Sequence, residues 1–115
     1  MVYKLNSTVL AAVVAIGLGA TAQAAVYTWT QTGTPRNWDN SEGQNNWTSG
    51  FPNAADDIAT VNTNITINST INLNQAITIG TLNIGDSSGN KRFTIAPNGG
   101  SLTFDVSTGN AAITG

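Results

Sequence analysis

Four of the six carboxylates in this 115-residue sequence fall in two close pairs, Asp39 with Glu42 and Asp56 with Asp57. General acid–base catalysis needs two positioned carboxyls whose surroundings pull their pKa values apart. Both pairs lie in stretches dense in Gly, Pro, Asn and Ser, where an Asp side chain caps backbone amides or precedes a strand. The residues favour that capping role. The alternative is a calcium site built from Asp56, Asp57 and loop carbonyls, because hard cations take clustered oxygens. No EF-hand loop or glycine–aspartate nonapeptide repeat accompanies the pair. Asn98-Gly99-Gly100 is glycine-rich but lacks the lysine and the helix that a phosphate cradle requires. The chain holds no Cys and no His. Cys–His and Ser–His–Asp catalysis, zinc sites of the usual ligands and a disulfide framework are thereby excluded within it. The expectation is a non-enzyme with no cofactor and no metal.

Three tryptophans offer a different chemistry. Trp38, Trp47 and Phe51 are spaced through the turn-rich QTGTPRNWDNSEGQNNWTSGFPNAADD region, and Trp29 lies just before it. A loop carrying such large apolar side chains is expected to fold over something, and burial of each stabilises by a few kcal/mol, on the order of 1.5–3. The favoured reading has the tryptophans plugging one end of a β core. The second reading is a flat platform of Trp38 and Trp47 that stacks on the sugar rings of surface glycans.

The elements that would position these residues begin after a leader. Met1–Thr8 carries Lys4 as its one charged side chain, and Val9–Ala20 is apolar. That stretch has the length of a signal-peptide core helix and is too short to span a bilayer. Ala22 and Ala24 put small side chains at the positions a signal peptidase reads, for a cut before Ala25. Residues 1–24 are therefore expected to be a cleaved signal peptide, with signal peptidase and the general secretion machinery as partners. The mature chain, with no transmembrane span, would be secreted or held at the cell surface.

Beyond the leader only Arg36, Lys91 and Arg92 stand against the six carboxylates. Without a basic patch, binding to nucleic acid by phosphate neutralisation is not expected. So few charges also argue against solvent-facing helices, which carry Glu and Lys on one side. The pattern is one of strands. Val26–Thr30 alternates bulky and polar residues. So do the triplets Ile65-Thr66-Ile67, Ile71-Asn72-Leu73, Ile77-Thr78-Ile79, Leu82-Asn83-Ile84, Phe93-Thr94-Ile95 and Leu102-Thr103-Phe104. Three features point to an all-β solenoid, with short strands coiled in parallel and stacked on one another. The strands are shorter than the usual five or six residues. Hairpin signals are sparse between Ile65 and Ile84. The polar members are nearly all Asn and Thr, and Asn side chains repeating between stacked strands can bond in ladders. An antiparallel β-sandwich with the same alternation is the alternative. Residues 25–57 are then a Trp-rich cap and residues 58–115 the strand region.

Two stretches resemble a known family. Asn46-Trp47-Thr48-Ser49-Gly50-Phe51-Pro52-Asn53-Ala54-Ala55-Asp56-Asp57 resembles the opening of bacterial surface proteins with autotransporter-associated β-strand repeats. Ala76–Asp86, AITIGTLNIGD, resembles the coil pattern of the same proteins, and Trp29 and Asn37-Trp38 fit the same opening. The resemblance implies a right-handed parallel β-helix exported across the inner membrane. It also implies an adhesin-like structural passenger without catalytic activity. The sequence departs from the family in carrying no β-barrel translocator, anchor or sorting tail. It stops within the strand pattern, so the expectation is an N-terminal fragment of a longer protein. At about 20 residues per coil, residues 58–115 would make fewer than three coils, where a solenoid needs about three or more and a cap at each end. Two further functions fit the residues: the non-catalytic lead-in of a secreted polysaccharide-acting β-helix protein, and a small carbohydrate-binding β-sandwich using Trp38 and Trp47.

Overall fold

The computed structural model describes residues 23–115. The signal-peptide helix and Ala22 lie outside the described residues. Ala24 is exposed and Ala25 half-buried, just ahead of the first strand. The described chain is all-β, with nine short strands and no helix: β1 Val26–Thr28, β2 Arg36–Asn37, β3 Ile58–Val61, β4 Ser69–Leu73, β5 Ala76–Ile79, β6 Thr81–Ile84, β7 Phe93–Pro97, β8 Ser101–Phe104 and β9 Ala112–Thr114. Among the described residues, then, no helix is long and apolar enough to cross a membrane.

The strands form three sheets, ordered β1-β3-β6-β9, β2-β4-β7 and β5-β8. From β3 onward the chain visits the sheets in fixed rotation, adding one strand to each before returning to the first. Every strand pair is parallel. Ile58 lies beside Thr81, Ile71 beside Ile95, and Ala76 beside Ser101. The antiparallel sandwich is excluded by these pairings. The one antiparallel contact among the described residues is an isolated bridge between Trp29 and Trp47.

Alternation explains the faces. In β3, β4 and β5 the residues Ala59, Val61, Ile71, Leu73, Ile77 and Ile79 turn inward and are buried, and Thr60, Thr70, Asn72 and Thr78 lie between them on the outer side. Five of the six triplets lie in strands β4 to β8. The sixth, Ile65-Thr66-Ile67, does not. It forms a corner between β3 and β4, with Ile65 buried and Ile67 52% exposed. Its backbone is held by an acid instead of a ladder: the Ile65 amide donates to Asp86 Oδ1 at 3.1 Å.

The Asn ladder also differs from expectation. Asn37 and Asn72 stand in register, but the bonded row on the outside of the first sheet mixes Thr and Asn. Asn83 Nδ2 donates to Thr60 Oγ1 at 3.4 Å, and Thr114 Oγ1 donates to Asn83 Oδ1 at 2.5 Å. The Asn83 carboxamide donates from its nitrogen and accepts at its oxygen, so it bridges the two Thr hydroxyls without a lost bond.

Glycine turns some of the corners where layers touch. A Cβ on Gly80 would lie 2.7 Å from the Asp56 Cα, and one on Gly100 would lie 2.1 Å from the Gln75 carbonyl oxygen. Residues 25–57 are more than a cap, because β1 and β2 pair directly with β3 and β4. The dipeptide Arg36-Asn37 carries no apolar alternation, so nothing in its composition marks it as a strand.

Candidate functional site

The tryptophans assemble around one another. Trp29 and Trp47 meet edge to face with ring centres 5.1 Å apart, and Trp38 lies 4.8 Å from Trp47 at a tilt of 55°. All three are within about one per cent of full burial. Two indole N–H groups find carbonyls: Trp38 Nε1 donates to Pro52 at 2.9 Å, and Trp47 Nε1 to Trp38 at 2.6 Å. Trp38 and Trp47 therefore have no open ring face on which a sugar could stack, which corrects the platform reading. Their apolar area and their N–H groups are both satisfied within the chain. The plug reading describes them: they pack against Ala59, Val61 and Ile71 of the strand core.

Asn46, beside Trp47, is fully buried, a structural role beyond its place at the start of the family-like stretch. Its Nδ2 donates to the Asn37 carbonyl at 2.9 Å and to the Asp39 carbonyl at 2.8 Å. Its own amide donates to Asn40 Oδ1 at 2.9 Å, and its carbonyl accepts the Thr30 amide at 2.9 Å. Asn suits this place because one carboxamide supplies two donors. The NNW spacing was the available signal, since a polar residue fixed against a plug tryptophan must be bonded where it is buried.

The carboxylates are occupied with backbone. Asp57 Oδ2 accepts the amides of Asn53 and Ala54 at 3.1 and 3.0 Å. Asp56 turns elsewhere: its backbone has φ 68°, and its Oδ1 accepts the Ser107 amide at 2.8 Å. The adjacent pair is thus pulled toward two different segments, as the capping reading expects. Glu42 Oε2 accepts the Asn37 amide at 3.3 Å and stands 3.9 Å from Arg36. Asp39 Oδ1 accepts both the amide and the hydroxyl of Ser41. Burial pushes the Asp39 carboxyl up, but the bonds from Ser41 and Asn74 outweigh it and hold the group below its ordinary value. Among the described residues no three of His, Cys, Asp and Glu come together as a metal-holding group.

Asp86 is the most heavily bonded acid. Its oxygens accept the Ser88 hydroxyl and the amides of Ile65, Asn90 and Lys91, the last two at 3.0 Å. The Ser88 bond, followed by the amides, holds its carboxyl well below the ordinary carboxylate range against the opposing effect of desolvation.

The described surface includes two open depressions. One, of about 550 Å³, lies between the Ile65–Asn68 corner and the Gly89–Arg92 turn and exposes Lys91 and Arg92. The other, of about 300 Å³, follows the outer row from Thr60 through Asn83 to Thr114. Neither gathers convergent catalytic groups.

The sheet ends differ sharply. On the side of β1, β2 and β5 part of each outer edge is occupied. The Thr48 amide donates to the Thr28 carbonyl at 3.0 Å, and the Thr28 amide donates to Thr48 Oγ1 at 3.2 Å. Asn37 is held by Glu42 and Asn46, as above, and the Thr78 amide of β5 donates to Asn53 Oδ1 at 2.9 Å. On the side of β7, β8 and β9 no described segment pairs with the outer edge.

Comparison of the chain with family models, with curated proteins and with solved structures yields no match in any of the three.

Proposed function

We propose that the chain is an exported structural segment, adhesin-like and without catalytic activity of its own, whose strands coil as a right-handed parallel β-helix at the cell surface. One observation carries this reading. The strands enter three sheets in rotation and in parallel register, with Ile, Val and Leu inward and Thr and Asn outward. Such stacking builds broad, weakly charged polar faces that engage a surface through many weak contacts. Crossovers between parallel strands of one sheet are almost always right-handed, which supports the handedness. The bonding of Asp39, Glu42, Asp56, Asp57 and Asp86 to backbone amides supports a scaffold, because each acid is committed to holding a turn. The resemblance of the Asn46–Asp57 and Ala76–Asp86 stretches to exported passengers supports the same reading.

Export is also compatible with the first pairing of the fold. The Ala25 carbonyl accepts the Ile58 amide at 2.8 Å, and a cut before Ala25 leaves that bond intact. The test is expression of the full chain in a bacterial host, followed by fractionation and N-terminal sequencing. The expected product begins at Ala25 and lies outside the cytoplasm, and replacing Ala24 by Phe leaves it unprocessed. Recovery of a cytoplasmic product that retains Met1 would overturn the proposal.

A further inference from the structure

Lys91 and Arg92 are two of the three cations that follow the leader. The third, Arg36, stands 3.9 Å from Glu42. Lys91 and Arg92 are paired with no carboxylate among the described residues, and both are exposed. With Asn90 they form one wall of the open depression of about 550 Å³, and Thr66, Ile67 and Asn68 form the other. No carboxylate lines it.

The ladder fixes where these groups point. Ser69 of β4 stands beside Phe93 of β7. One residue earlier, the Arg92 amide donates to Asn68 Oδ1 at 3.2 Å, and the Ser69 amide donates to the Arg92 carbonyl at 3.0 Å. Ser69 is buried, so by alternation Asn68 and Arg92 face outward from the sheet. Strand β4 has β2 on one side and β7 on the other, so its leading corner opens off the flank of the stack.

The two walls are also tied together. Asp86 accepts the Asn90 and Lys91 amides from the turn and the Ile65 amide from the corner. The acid of this turn is thereby committed to backbone and to Ser88, and the cations are left to a ligand. Groups held in place in this way bind without a large ordering cost. Asn68 uses its Oδ1 on Arg92, which leaves its Nδ2 to donate elsewhere. Ile67, 52% exposed, adds an aliphatic contact beside the charges.

We propose that this depression binds an acidic polysaccharide. A carboxylate or sulfate of one sugar meets Lys91 and Arg92, Asn68 Nδ2 donates to a neighbouring hydroxyl, and a C–H face of the ring rests on Ile67. Arg offers such an anion a planar fork, and Lys a point charge. Duplex nucleic acid fits less well. With a charge about every 1.7 Å of its axis, it would set most of its phosphates against a chain with six acids and four basic side chains. The site gives the surface-engaging role a partner and rests on that reading for its setting. Binding by the purified chain is measured without export, so its failure would leave the processing test untouched.

Titration calorimetry of the purified full chain with polygalacturonate, dextran sulfate, neutral dextran and duplex DNA tests this. Binding to an acid polymer is expected, weakening as salt rises, with none to neutral dextran. The tighter of the two acid polymers identifies the anion. Lys91→Gln with Arg92→Gln should weaken binding roughly tenfold or more, and Arg36→Gln should leave it unchanged. On the unaltered chain, the side-chain amide resonances of Asn68 and Asn90 should shift as the tighter acid ligand is added. No binding to either acid polymer, equal binding to neutral dextran, tighter binding to DNA, or a glutamine variant that binds like the parent would each overturn the proposal. So would ligand-induced shifts that spare both carboxamides.

Discussion

Removing the Asn46 carboxamide would leave the Asn37 and Asp39 carbonyls without their donor beside the buried tryptophan cluster. Each backbone carbonyl stranded in this way costs about 1–3 kcal/mol. Asn46→Ala is therefore expected to lower stability by about 2–4 kcal/mol in a denaturant titration. Asn46→Asp should be at least as damaging near neutral pH, because a carboxylate presents only acceptors to two carbonyls. Asp86 sets a second expectation at this scale. Its folded-state pKa lies below the ordinary 3.8, so its bonds to Ser88, Ile65, Asn90 and Lys91 stabilise the fold above that value. Their contribution is lost as pH falls below 3.8 toward the folded-state value. Thermal melts from pH 7 to pH 2 should show Asp86→Asn clearly less stable than the parent at neutral pH, with the gap closing in acid. A constant gap across the range would sink this account. The sequence displayed Asp86 inside a Gly-Asp-Ser-Ser-Gly turn, but turn composition does not reveal that the acid also reaches Ile65, far away along the chain.

Strands were more legible than corners. Alternating Ile and Thr or Asn marks β4, β5, β6, β7 and β8 because period two is what a pleated strand imposes on a one-sided core. Ile65-Thr66-Ile67 carries the same alternation and is a corner, since three residues of period two fit a turn that buries one side chain as well as they fit a strand. Arg36-Asn37 erred the other way: its strand is set by pairing with Ile71 and Asn72, a long-range fact that local composition cannot carry. The buried faces of the tryptophans were anticipated by the plug reading, while the sugar-stacking alternative failed because nothing local tells which side of an aromatic ring is covered. At the corners, glycine identity has a sharp consequence. Gly100→Ala would drive a Cβ against the Gln75 backbone, and a shift large enough to admit it costs about 1–3 kcal/mol. Gly85→Ala, where a Cβ meets nothing within 4 Å, should change stability by less than about 1 kcal/mol. The pair is compared by melting temperature, and equal effects would refute the close-approach argument.

Across the whole molecule, burial falls from one end to the other. The tryptophan plug, β3, β4 and β5 hold most of the fully buried apolar residues, and β7, β8 and β9 hold none of them. Opening free energies follow such gradients. Amide exchange should be fastest at Ala112–Thr114, intermediate in β7 and β8, and slowest in β3 and β4, read by mass spectrometry. Uniform protection would mean that the molecule opens all at once. The expectation belongs to any chain in which each strand rests on the one laid down a layer earlier.

The rotation of the chain through three sheets has a mechanical consequence as well. A tether attached at residue 115 and another at residue 25 would not load all the ladders together. Both tethers carry the same force, but β1 abuts the packed tryptophans, so β9 gives way first, then β8, then β7, each with its inner neighbour still in place. Slack should therefore be paid out in small steps, one winding of about two dozen residues freeing roughly 80 Å of contour length. The last and highest rupture would come when the indole-packed base itself gives way.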